Sequence, residues 1–488
     1  MPEYSTIIGL EVHVQLATAS KLFCRCSTQF GAEPNTQTCP VCIGMPGSLP
    51  VMNREAFRLA LKTAVALNCE IPAFTKWDRK QYYYPDLPKN YQISQYDLPM
   101  SQHGHLDIND SKGLFESKRV RIRRAHLEED AGKSLHDEVA GKADSLIDLN
   151  RTGTPLLEIV TEPDLRSPME AKTFLTELRL LLTYIGVSDC NMQEGSLRVD
   201  ANVNLHISAP QGNVATPIVE IKNMNSFRVV ERALDYEAQR QWREWQETHQ
   251  QLDEVPKQTR GWDDAAGVTR AQRSKEESSD YRYFPDPDLV PVTVGHSEVE
   301  QLRESLGELP AALRERLVTD RGLSAYDADV LVNQGRPVVD YFLDVTRRTG
   351  DAKAAANWVT QDVLRLLKDQ NAGIDQFPVA AAALADLIQK IKNGEVPSPR
   401  AREVFQAMVE RRLDASAAMN AVGISAVDET ELIALCEQLL EANPRTIADV
   451  RSGKTQAIGA LIGKAKKINP NVDPTRVREI CLELIAKR

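Results

Sequence analysis

From Ile7 to Leu16 the chain alternates strictly: Leu10, Val12, Val14 and Leu16 fall on one side, and Glu11, His13 and Gln15 on the other. A period of two predicts a strand with a buried face and a face that presents a carboxylate, an imidazole and an amide together. The pattern recurs over 197–205, where Leu197, Val199, Ala201, Val203 and Leu205 alternate with Arg198, Asp200, Asn202 and Asn204. Segment 118–124 sets Arg119, Arg121 and Arg123 on one strand face, and 218–223 adds Glu220 and Lys222. Strands with one apolar and one densely functional face predict a curved antiparallel sheet whose hollow side holds a polar, phosphate-bearing ligand with metal. At His296 the texture changes. Stretches 299–317, 352–367 and 379–391 carry helical periodicity, and a further break is expected near 413–425. The expected class is α+β, with a mainly antiparallel sheet domain over 1–295, an all-α domain over 296–412 and a small all-α tail over 413–488.

Length and composition agree with this division. The 488 residues are about three domains' worth at ~150 residues each. With 42% hydrophobic and 26% charged residues the chain can bury sizeable cores. Its formal net charge of −10 argues against coating nucleic acid through overall charge, so any RNA contact must be local. A local candidate exists: residues 451–488 hold nine Lys or Arg against three acids, and the segment Gly459 to Lys467 reads as a helix ending in Lys464, Lys466 and Lys467. It is either an RNA contact or a solubilising terminal helix. No run reaches the ~18 apolar residues of a membrane helix, and no signal core follows Met1, so a cytoplasmic protein without membrane contact is expected.

Buried charge narrows the chemistry. Glu158 interrupts the apolar run from Thr154 to Val160, and a carboxylate inside a buried strand requires an arginine, a hydrogen-bond network or a metal. Glu128, Glu129 and Asp130 stand together on an expected turn, either as a solvated acidic loop or around a cation. Glu11 and His13 share a metal only if other carboxylates converge on them; otherwise they belong to a solvated face.

The spacing Cys24-x-Cys26-x12-Cys39-x2-Cys42 brings two close pairs of thiols into tetrahedral reach. Four sulfurs predict a structural Zn²⁺ with no open coordination position, against a redox pair or unligated thiols. Cys69, Cys190, Cys436 and Cys481 read as interior residues. The tyrosine-rich stretches at 82–91 and 281–286 suit either base stacking or packing against proline. Segments 127–134 and 448–455 end like phosphate loops but lack the first glycine. No motif supplies a Ser or Cys nucleophile for amide hydrolysis.

Several longer strings resemble one family. They are Gly9-Leu-Glu-Val-His13-Val, Phe30-Gly-Ala-Glu-Pro-Asn35, the string from Tyr84 to Ser94, His126-Leu-Glu-Glu-Asp-Ala-Gly-Lys133, Asp148-Leu-Asn-Arg-Thr-Gly-Thr-Pro155, Glu194-Gly-Ser-Leu-Arg-Val-Asp-Ala-Asn202 and Asp280-Tyr-Arg-Tyr-Phe-Pro285. In this order they are similar to the B subunits of the tRNA-dependent amidotransferases, over essentially the whole chain. The resemblance implies a cradle-shaped α+β domain, a helical domain and a tail that touches tRNA. It implies a heterotrimer with a glutaminase (A) and a small third polypeptide (C), acting on misacylated tRNA, Glu-tRNA(Gln) or Asp-tRNA(Asn), with the mischarging synthetase as a further partner and no role for DNA. The B subunit would use ATP to phosphorylate the tRNA-bound carboxylate, and ammonia from the glutaminase would then displace phosphate. Carried over by motif, Glu11, His13, Glu128, Glu129 and Glu158 are catalytic, with Mg²⁺ on Glu11, His13, Glu129 and Glu158. Arg198, Asp200, Lys222 and Asn223 would contact nucleotide or substrate, Cys24, Cys26, Cys39 and Cys42 would hold Zn²⁺, and Lys464, Lys466 and Lys467 would touch tRNA. Two other classes compete: a zinc-containing RNA-binding scaffold without catalysis, and a stand-alone ATP-dependent carboxylate–amine ligase.

Overall fold

The computed structural model describes residues 4–110, 113–136, 145–209, 212–272, 281–424, 429–452 and 454–487. Asp280, in the last family-like string, and Gly453, in the second near-miss phosphate loop, lie outside them. The chain forms two compact units, Met1–Ala312 and Leu313–Arg488.

In the first unit the main strands are β1 (Tyr4–Gln15), β2 (Asp78–Gln81), β3 (Tyr91–Ser94), β4 (Ser101–Ile108), β5 (Lys118–Glu129), β6 (Pro155–Thr161), β7 (Leu197–Ala209), β8 (Gly212–Ala215), β9 (Val219–Lys222), β10 (Gln258–Asp263) and β11 (Val268–Ala271). Nine of them form one sheet in the order β11-β10-β9-β7-β1-β6-β5-β4, with β8 paired to β7. Its described pairings are antiparallel except β9 with β10. Strands β2 and β3 pair with each other, and the short strand Phe284–Pro285 joins β2.

The alternation seen in the sequence sets the sheet's two faces. Leu10, Val12, Ile159, Val199 and Ala201 point into one core with Ala60 and Leu61 of α1 (Arg54–Ala66), Phe174 and Leu178 of α2 (Pro168–Tyr184), and Val230 and Leu234 of α3 (Phe227–Thr248). The helices begin where side-chain caps supply acceptors to free backbone N–H groups: Asn53, Ser167 and Ser226 accept from the first turns of α1, α2 and α3. With the apolar face covered by helices, the other face is left to the polar residues.

Two local expectations change. Glu128 and Glu129 do not lie on a turn; they end β5. The strand tolerates adjacent acids because alternation sends them to opposite faces and each finds its own neighbours. Stretch 299–317 is not one helix but two, His296–Ser305 and Pro310–Thr319, because Pro310 has no N–H to continue a helix and suits the first turn of a new one.

Strand β5 also contains a bulge. Ile122 pairs with Thr161 and Arg124 with Val160, leaving Arg123 as the extra residue. Before it the core-facing residues are Val120 and Ile122; after it they are Ala125 and Leu127.

The second unit is helical among its described residues. Stretch 352–367 is Ala352–Trp358 and Leu364–Gln370, joined through a π turn at Val359–Val363. The C-terminal helices have a core of their own, with Leu432, Cys436, Leu440, Leu461, Val477 and Cys481. Cys69 and Cys190 are buried in the core of the first unit. No described helix is long and apolar enough to cross a membrane.

Candidate functional site

The register of three neighbouring strands builds the site. His13 on β1 stands opposite Glu158 on β6, and Glu158 stands opposite His126 on β5. Cross-strand partners point to the same face, so the three side chains form a row on the polar side, and Glu128 joins them two residues beyond His126. His13 Nε2 lies 3.6 Å from Glu158 Oε2 and 3.9 Å from Glu128 Oε1. His126 Nε2 lies 3.6 Å from Glu158 Oε2 and 4.0 Å from Glu128 Oε2. One ligand atom each from His13, Glu128 and Glu158 fits within 4.8 Å of the others.

Burial pushes the His126 imidazole down to about 4, and among the described residues its buried Nδ1 has no hydrogen-bond partner. Burial pulls His13 the same way, but the hydrogen bond and charge of Glu158, with Glu128, outweigh it and leave His13 above its ordinary value. Burial and then the charge of Glu158 raise the Glu128 carboxyl. Burial works against Glu158 too, yet the imidazoles of His126 and His13 and the ammonium of Lys80 hold it well below the usual carboxylate range. Two buried carboxylates pushed in opposite directions mark a shared site.

A cavity of about 360 Å³ opens onto this row, lined among others by His13, Lys80, Tyr82, Glu128, Asp130, Arg151, Arg198 and Asp200. Asp130 accepts from Gln15 at 2.7 Å and from Arg198 at 2.9 Å, with Arg151 at 3.6 Å. Despite burial, Arg198 and Arg151 keep it below the ordinary aspartate value. Lys222 donates to Asp200 at 2.5 Å. Glu11 accepts from Asn202 at 2.9 Å. Arg198 faces His13, and Asp200 faces Glu11, through the β1–β7 register.

Other sequence candidates sit elsewhere. Glu129 turns away from the row. Its carboxylate pairs with Lys89 and accepts the Ile93 N–H at 3.1 Å, so its charge is already matched. Asn223, just past β9, is exposed in a left-handed conformation, with φ 67°. Arg119, Arg121 and Arg123 share a face but are joined to Asp107, Asp164 and Glu162 in largely exposed pairs. Lys464 and Lys467 are exposed on the helix Ile458–Ile468, Lys466 is half-buried, and Lys464 Nζ donates to Asn443 at 2.5 Å.

Sequence reasoning missed Lys80, His126 and Arg151. Lys80, on β2, lies with its Nζ 5.1 Å from the Tyr281 ring centroid and 5.9 Å from that of Tyr82. Among the described residues it makes no hydrogen bond or ion pair within bonding distance. Burial works against its charge, but Glu128, Tyr283 and Glu158 hold the ammonium above the ordinary lysine value. The two tyrosine stretches thus meet in one cluster: Tyr82 lies 6.0 Å from Tyr281, and Tyr283 stacks on Tyr96 at 4.1 Å. A signal was present in the alternation of Lys80 with Tyr82, but nothing in it pointed to the sheet.

The four cysteines also converge. One sulfur from each of Cys24, Cys26, Cys39 and Cys42 lies within 4.8 Å of the others, which suits a tetrahedral four-thiolate metal site.

Fold and site together define an α+β domain whose sheet carries an acidic, cation-lined cavity on its polar face, followed by a helical region. Comparison with known proteins agrees. The family described as GatB/GatE catalytic domain matches residues 6–300, and the GatB domain matches residues 340–485. The chain is 60% identical over 483 residues to the B subunit of the aspartyl/glutamyl-tRNA(Asn/Gln) amidotransferase of Rhodopirellula baltica, covering 99% of this chain and 97% of that protein. It is 47% identical to the protein of the same description from Moorella thermoacetica, over 95% of this chain and 96% of that one. Identity to the Thermodesulfovibrio yellowstonii protein is 42%, covering 99% of both. The chain belongs to the GatB family, as the resemblance of its motifs implies.

Proposed function

We propose that this chain is the B subunit of a tRNA-dependent amidotransferase, a carbon–nitrogen ligase that takes its nitrogen from glutamine. It works with a glutaminase (A) and a small third polypeptide (C) in the cytoplasm, on Glu-tRNA(Gln), Asp-tRNA(Asn) or both. The observation that carries this reading is the convergence of His13, Glu128 and Glu158 beside Lys80 in the domain that matches the family.

The carboxylate oxygen of the aminoacyl side chain attacks the γ-phosphorus of ATP, and the bond from that phosphorus to the β,γ-bridging oxygen breaks to release ADP. Ammonia then attacks the acyl carbon, the carbon–oxygen bond to phosphate breaks, and the nitrogen sheds a proton. Such transfer depends on positioning and on matching charge more than on covalent catalysis. His13, Glu128 and Glu158 would hold Mg²⁺, with Glu11 behind them; the ion would supply charge to offset the phosphate oxygens. This replaces Glu129 by Glu128 as a ligand, because Glu129 is committed to Lys89. Lys80 and Arg198 would receive phosphate oxygens. Asp200 and Lys222 hold each other at the rim and would position the nucleotide, with Asn223 as an outer contact.

The cysteine quartet would hold structural Zn²⁺, and Lys464, Lys466 and Lys467 would touch tRNA together with the rest of the basic end. Of the expected division into 1–295, 296–412 and 413–488, the separate core of the C-terminal helices supports the tail, while the compact units divide at Ala312.

The test is reconstitution with the glutaminase and the small third polypeptide, misacylated tRNA, ATP, Mg²⁺ and either glutamine or ammonium. Amide formation that requires tRNA, ATP and Glu128 is expected. Full activity in Glu128→Gln would favour a non-catalytic scaffold, and activity without tRNA would favour a stand-alone ligase.

A further inference from the structure

A second cluster of charge lies at the cysteine quartet. Lys21, six residues beyond the end of β1, is completely buried at 0% exposure. Its ammonium donates to the Gln37 carbonyl at 2.6 Å and to Cys42 Sγ at 3.6 Å. Among the described residues no carboxylate pairs with it, whereas the ammonium groups of Lys76, Lys89, Lys118 and Lys222 in this unit each have one. The spot is tightly enclosed. Gly153, with φ +83°, backs onto it, and a Cβ there would stand 3.5 Å from Cys42 Cβ and 3.6 Å from both Lys21 Cδ and Glu129 Oε1.

Removing an ammonium from water is costly unless an anion faces it. A carbonyl dipole alone does not supply one, and neither does a neutral thiol. A metal-bound thiolate does. Four thiolates around a divalent ion leave an excess of two negative charges, and one ammonium in contact removes half of it.

We infer that Lys21 is a built-in counter-cation of the four-cysteine site, oriented by the Gln37 carbonyl against the Cys42 sulfur. It is a positioning residue: it touches a ligand of the metal and takes no part in phosphoryl or acyl transfer. The inference rests on the quartet holding zinc. It adds that the site's retention of metal depends on the charge of a residue outside the Cys motif.

The experiment uses the full chain as wild type, Lys21→Arg, Lys21→Met and Lys21→Gln, each checked for folding by circular dichroism. Zinc is measured by elemental analysis, and its release by the rate at which a chromogenic chelator takes it up. Wild type should carry one zinc. The neutral variants should release it faster or hold it more weakly by about 10- to 100-fold, the range that outer-shell partners command, while Lys21→Arg stays near wild type. Recovery of the neutral variants only as zinc-free or unfolded chain, with Lys21→Arg loaded, also supports the inference. Zinc retention in Lys21→Met equal to wild type overturns it. Equal loss in Lys21→Arg and Lys21→Met overturns it as well, since packing rather than charge would then matter. A zinc-free wild type would remove the metal assignment itself, and the inference with it.

Discussion

His13 Nε2 and Glu158 Oε2 lie 3.6 Å apart on neighbouring strands, although 145 positions separate them in the chain. Strand pairing places them opposite one another, and the polar face of the sheet keeps Glu158 in contact with a second imidazole, His126, at the same distance. The proposed catalysis centres on this contact.

Glu128 and Glu129 are adjacent but face different neighbours, so their substitutions should separate. Glu128→Gln should fold normally and lose at least about 100-fold in ATP- and Mg²⁺-dependent amide formation, on the scale of one lost electrostatic stabiliser. Glu129→Gln leaves the buried Lys89 ammonium without its carboxylate and should cost about 3 kcal/mol or more in urea unfolding. Equal stability of the two variants would contradict the opposed faces.

Among the described residues Lys80 offers its ammonium to aromatic faces, which stabilise charge without accepting strong hydrogen bonds. Lys80→Met should retain its fold and lower kcat/KM for ATP by about 10- to 100-fold, as expected for the loss of a charge-assisted contact of roughly 1.5–3 kcal/mol. Lys80→Arg should recover part of it. Steady-state kinetics at varied ATP with ammonium as donor would show this without involving the glutaminase.

His126 is buried with its pKa pushed down to about 4. Between that value and the 6.5 of a free imidazole, the unfolded chain binds a proton that the native one does not, so native stability must fall as pH falls through the window. In metal-free protein the loss should reach at most about 3 kcal/mol, and His126→Gln should flatten the slope. Urea midpoints measured across pH 4–7 in metal-free wild type and variant provide the check.

The Arg123 bulge makes a separate prediction. Arg123→Ala keeps the extra residue and removes an exposed ion pair, at a cost below about 1 kcal/mol. Deleting Arg123 would remove the extra residue and close the bulge, so Ile122, Ala125 and Leu127 stay toward the core and His126 and Glu128 stay on the polar face. The deleted chain should therefore accumulate as soluble protein, and Arg123→Ala should unfold near the wild-type urea midpoint; a deleted chain that fails to accumulate would contradict the bulge.

Much of the protein was legible in one dimension. Period-two alternation in β1 and β7 determined which residues enter the core and which line the polar face, because a strand's side chains have nowhere else to go. The carboxylate set into an apolar run marked Glu158, and cysteine spacing marked a four-sulfur cluster. Tertiary structure decided what depended on register and on distant neighbours. Counted straight along β5, the face that carries Arg119, Arg121 and Arg123 continues to Glu129; one bulged residue transfers that face to His126 and Glu128. Lys80 and Lys21 read as ordinary polar positions until β2 carried one to the acidic row and the cysteine loop closed over the other. Alternation is a local property of the backbone and survives in the sequence. The pairing of charges arises from contacts between segments far apart in the chain, which no local period records.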